Sequence, residues 1–129
     1  MSLHHLDRVL EGNLRAGEIL FSMAWAEMEY IGSDKTELAS KCMTSLVQAR
    51  KALSLFQHHD GITATAKDHV VLDYGDKMVN SINMLQKVIS QATNFLLTKS
   101  KANYNQTCKQ LILILNSAEQ QPGPSPPRR

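Results

Sequence analysis

The sequence predicts an all-α fold: a three-helix bundle with antiparallel neighbours, followed by a disordered Pro-rich C-terminal tail. Three observations carry that prediction. Apolar residues recur at three- or four-residue steps through three long stretches. All four prolines fall in the last eight residues, so none interrupts those stretches. The breaks between them are short and hold Gly, Asp, Ser and Thr, and short connections between long amphipathic helices set chain neighbours antiparallel.

The first stripe is Leu3, Leu6, Leu10, Leu14, Gly17, Leu20, Ala24, Met28 and Ile31. It stops at Gly32, a residue suited to the left-handed position after a helix. Asp34 is placed to cap the next helix, with Glu37 three residues on to complete a capping box. The second stripe is Leu38, Cys42, Leu46, Ala49, Leu53 and Phe56. After an interruption, Thr63 or Thr65 is the expected cap of a third helix. Its stripe runs Val71, Tyr74, Met78, Ile82, Leu85, Ile89, Ala92 and Leu96. Gly75 lies inside this pattern and weakens it by ~1 kcal/mol relative to alanine, which eight in-phase positions outweigh. Beyond Thr98 the chain turns polar, and Asn105-Gln106-Thr107 is an N-glycosylation acceptor pattern. The run Leu111–Leu115 reads as a short strand or a last helical turn. The domain reading is therefore a helical domain over 1–104, then a short apolar segment and disordered tail over 105–129.

Bulk properties exclude several classes. A 129-residue chain with 43% hydrophobic residues can bury one core, which argues against wholesale disorder. Net charge is only +2 and the Lys and Arg residues are scattered, so no nucleic-acid partner is expected. The longest aliphatic run has five residues, against the ~20 of a membrane span, so no direct membrane insertion is expected. Cys42 and Cys108 could pair or stay reduced.

The interruption reads "LFQHHDGITATAKDHVVLDYG". Taken alone, Gln57-His58-His59-Asp60-Gly61 is a polar helix terminus, with His59 favoured by the C-terminal dipole and Asp60-Gly61 making the turn. The alternative is a single metal ligand donated to a site built elsewhere. Adjacent helical residues point apart, so His58 and His59 are not expected to share one ion.

The whole string resembles the signature of the Golgi-type class II α-mannosidases of glycoside hydrolase family 38. There Gln-His-His-Asp-Ala/Gly-Ile-Thr-Gly-Thr-Ala-Lys precedes a Val-Val-x-Asp-Tyr run. "LDRVLEGNLRAGEILFS" and "ARKALSLF" extend the likeness across roughly Leu6 to Thr98. What the resemblance implies is specific. This would be the helical middle domain, packed against an N-terminal α/β catalytic domain with a zinc ion at the junction. His59 would be a zinc ligand and Asp60 would hydrogen-bond hydroxyls of a mannose-containing glycan. His58 carries no ligand role over, Thr63, Thr65 and Lys67 would shape the loop, and Asp73 would be a structural partner near it. Ala64 stands where the family usually has glycine.

Zinc accepts imidazole nitrogen and carboxylate oxygen and can bind sugar hydroxyls. Retaining glycosidases also need a nucleophile and an acid/base. In the family these, and the remaining zinc ligands, come from the N-terminal domain. This chain therefore reads as a middle domain cut at both ends and inactive alone, with the Golgi lumen implied as its compartment. The alternative is a non-catalytic helical module that binds a protein partner through the face the catalytic domain would cover.

Overall fold

A computed structural model describes residues 2–32, 36–63 and 65–98. Among these, four helices form and no strand: α1 (Leu3–Tyr30), α2 (Thr36–Phe56), the single turn α3 (His59–Ile62) and α4 (Asp68–Leu97). The expected all-α bundle is what the chain adopts. Asp34, Ala64, Cys108, the sequon at Asn105, the run Leu111–Leu115, the boundary at 104 and the tail lie outside the described residues.

Helix ends follow local chemistry. Ser2 caps α1, its hydroxyl accepting the His5 amide at 3.3 Å. At the other end Gly32 takes a left-handed φ of 61°, as its position in the sequence predicts, and its amide reaches the Glu29 carbonyl at 3.2 Å. The capping box expected between Asp34 and Glu37 rests on a residue outside those described, and only the downstream side of Glu37 is on view. Its carboxylate is engaged one turn downstream by Lys41 at 2.6 Å, which also lowers its pKa. The cap of α4 differs from the expected one. Neither Thr63 nor Thr65 serves; the chain enters α4 through an extended Lys67 (φ −64°, ψ 150°), whose carbonyl accepts the Val70 and Val71 amides.

Packing pairs define the topology. The Cα of Gly17 faces Leu46 of α2 and Leu85 and Ile89 of α4, while Leu3 approaches Gly75. Position thus advances together along α1 and α4, so these two helices run parallel and share the most extensive contact in the bundle. Opposite order holds for α2: Phe56 meets His4 and Tyr74, and the Cys42 thiol donates to Gln91 at 3.7 Å. Chain neighbours α1/α2 and α2/α4 are therefore antiparallel. Between α1 and α2 the ion pair Arg50–Glu18, at 2.6 Å, spans the surface.

Stripes at three- or four-residue steps identify most of the core, including Leu10, Leu14, Leu38, Leu46, Met78 and Leu85. They miss Phe21, Val88 and Phe95, which are buried, and they include Ile31, which is exposed. In a three-helix bundle each helix faces two partners, so its buried sector is wider than one stripe. On α4 that widening takes in Val88 and Phe95, with small Ser81 and Ser90 at the edges.

Candidate metal centre

The motif emerges where α2 ends. Gln57 still donates its amide to the Leu53 carbonyl at 2.9 Å, but His58 is extended (φ −56°, ψ 148°) and breaks the helix. Its carbonyl then accepts the amides of Gly61 and Ile62 at 2.9 and 3.1 Å, closing the single turn α3. The Thr63 hydroxyl donates to the His59 carbonyl, and the Thr63 and Thr65 hydroxyls lie 2.8 Å apart, tying the loop to itself.

Gly61 has a different role from the turn the sequence suggests. Its φ is not left-handed, Gly32 alone being so among the described glycines. Instead it is buried against the last turn of α2. A Cβ there would lie 3.1 Å from the Phe56 carbonyl carbon and 3.2 Å from the Phe56 Cα, and closer still to the carbonyl oxygen. Close backbone approach is what demands the glycine. Beneath it Phe56 is 1% exposed and takes edge-on ring contacts from His4 and Tyr74. The motif therefore stands on the bundle core.

His58, His59 and Asp60 converge. Nε2 of His59 is 3.3 Å from Oδ1 of Asp60, Nε2 of His58 is 3.8 Å from Oδ2, and the two imidazole rings are 4.0 Å apart. One ligand atom from each lies within 4.8 Å of the others. The expectation that the histidines point apart assumes a helical His58. Since His58 is extended and His59 opens α3, the rings share one side. The helix-terminus reading of His59 changes for the same reason, because α2 has already ended at Phe56. Among the described residues no other three His, Cys, Asp or Glu side chains gather this way.

The donor set suits zinc. Two imidazole nitrogens and a carboxylate oxygen are ordinary zinc ligands. Bonds of ~2.0–2.1 Å in a tetrahedron put neighbouring ligand atoms roughly 3.3–3.4 Å apart, close to the His59–Asp60 separation. All three side chains are more than half exposed, His59 at 77%. No described residue closes over them. Other acidic side chains are engaged away from this cluster. Asp73 bonds Lys77 one turn along α4 and Glu11 pairs with Arg15. The Oδ1 of Asp7 is buried without a hydrogen-bond partner among the described residues.

Residues 2–96 match the family of the alpha mannosidase middle domain. The chain belongs to that family. This middle domain is 46% identical over 94 residues to alpha-mannosidase 2 of Drosophila melanogaster, covering 73% of this chain and 8% of the relative. To human alpha-mannosidase 2 it is 43% identical over 100 residues, covering 78% and 9%. The Arabidopsis thaliana alpha-mannosidase 2 is 45% identical over 92 residues, covering 71% and 8%. The middle domain thus spans about a tenth of the length of the curated relatives it matches. No solved structure matches it. No described helix is long and apolar enough to cross a membrane.

Proposed function

We propose that this chain is the central part of a zinc-dependent retaining α-mannosidase that trims N-glycans. In that role His59 supplies one imidazole to a zinc ion, and Asp60 supplies the carboxylate that accepts hydrogen bonds from mannose hydroxyls. The ion, when bound, would orient the sugar through its vicinal hydroxyls. The observation that carries the reading is the exposed His59–Asp60 pair, presented outward on a one-turn helix fixed to the core by Gly61.

The nucleophile, the acid/base and the other zinc ligands belong, on this reading, to an N-terminal α/β catalytic domain. The family relationship and the short coverage of the relatives support it. One imidazole leaves most of a zinc coordination sphere to other groups. Leu55, Ile62 and Leu72, in the last turn of α2, in α3 and near the start of α4, stay exposed and suit burial under such a domain. The Golgi lumen would be the compartment.

Complementation tests this. The relative's sequence lacking its own middle domain is co-expressed with this chain and assayed on an aryl α-mannoside, with bound zinc counted. Recovered turnover that disappears with His59→Ala, together with zinc, is expected. Turnover by this chain alone, or recovery indifferent to both His59→Ala and Asp60→Asn, would overturn the assignment.

A second reading, a non-catalytic helical interaction module, is favoured by one feature. An apolar groove between α1 and α2 leaves Trp25 and Met43 half-exposed, toward the end of the bundle away from His59. Under this reading complementation fails while a partner binds the groove.

A further inference from the structure

The groove between α1 and α2 has a volume of about 480 Å³. Its floor is Phe21, Ala39 and Leu46, all buried, and its walls are Trp25 and Met43, which are 43% and 46% exposed. Charge at its rim is already neutralised, because Arg50 and Glu18 bond one another at 2.6 Å. Such a surface favours an uncharged, aliphatic occupant over a charged one.

We propose that the occupant is Leu111–Leu115 of this same chain. Those five residues are the longest aliphatic run in the sequence, and no charge occurs between Lys109 and Glu119. The run lies past residue 96, where the match to the middle-domain family model ends.

Length and position both fit. Along α2 the groove runs from Thr36 to Arg50, fourteen steps of ~1.5 Å, or roughly 21 Å. Five extended residues span roughly 17 Å. The approach is equally direct. Because Cys42 faces Gln91 and the two helices are antiparallel, the end of α4 at Leu97 lies level with the start of α2. Thr98 is thus at the end of the bundle where the groove opens. Twelve residues separate it from Leu111, and the thirteen steps between them span roughly 43 Å when extended. Passing around one helix of ~10–12 Å diameter needs less than that.

Trp25 is the one tryptophan of the chain and lines the groove, so it reports occupancy directly. The experiment compares intact wild type with Leu113→Asp by tryptophan emission and acrylamide quenching, across a range of protein concentrations. The variant is expected to shift emission to longer wavelength and to be quenched faster. Far-UV circular dichroism should stay unchanged, since the substituted residue lies outside the helices described. Identical spectra and quenching in the two proteins would overturn the proposal and leave the groove to a separate partner. A difference that vanishes on dilution would also overturn it, in favour of a second copy of the chain. From the groove side, Met43→Asp alters a half-exposed residue. It should make the bond after Lys109 more sensitive to trypsin, and unchanged cleavage there would count equally against the proposal.

Discussion

Phe56→Ala is the substitution that most directly tests how the motif is anchored. The ring is 1% exposed, with Tyr74 at 6.2 Å and 78° on one side and His4 at 6.1 Å and 68° on the other. Truncating a buried phenylalanine costs about 3–5 kcal/mol, from lost transfer free energy and the cavity left behind. Edge-on aromatic pairs add ~0.5–1.5 kcal/mol beyond burial, which places this site in the upper part of that range. A domain of this size has only about 5–15 kcal/mol in total, so roughly a quarter or more of its stability is at stake. Urea unfolding followed by far-UV circular dichroism measures the loss. With a slope of about 1–3 kcal/mol per M, the midpoint should fall by at least ~1 M. A loss below ~1 kcal/mol would show that α1, α2 and α4 do not converge on this ring, and the platform under His59 and Asp60 would have to be sought elsewhere.

Three further outcomes are expected. Gly17→Ala should stabilise the bundle by about 1 kcal/mol, because the helix interior favours alanine. The new Cβ would meet Leu46, Leu85 and Ile89 at ordinary contact distances of 3.4, 3.6 and 3.8 Å; thermal unfolding reads this out, and a lowered midpoint would mean tighter helix spacing. Gly61→Ala should cost about 1–3 kcal/mol without loss of helix content, since the Phe56 backbone that the Cβ meets can yield only by moving α3. Unfolding free energies equal to wild type would refute that packing. Burial pushes the Cys42 thiol up to about 11 from its usual value near 9. The folded chain therefore keeps the proton that the unfolded chain releases first. This contribution is fully present below pH ~9 and is lost as pH rises through about 11. Wild type should lose stability relative to Cys42→Ala over that window, and parallel pH profiles would contradict it.

Much of the bundle is legible from spacing alone. The stripes through Leu10, Leu46 and Met78 locate three helices because apolar burial imposes its period on any amphipathic helix. Gly32 marks the end of α1, since a left-handed residue after a helix favours a side chain without Cβ. Phe21, Val88 and Phe95 escape the same reasoning. Their burial depends on a second neighbouring helix whose direction the period does not encode. The cap of α4 escapes it as well, because Thr63 and Thr65 hydrogen-bond within the loop and leave Lys67 as the entry residue.

The candidate site divides along the same line. Residue order alone places His59 and Asp60 in a string that resembles the alpha mannosidase middle domain, because a long run of chemically distinct side chains carries family identity by itself. Tertiary structure decided the rest. An extended His58 turns the two rings to one side, and Gly61 lets the backbone of α3 rest on Phe56. Alternation and spacing are local properties written into the chain. The meeting of three side chains at the end of a bundle depends on backbone angles at one residue and on packing between distant segments.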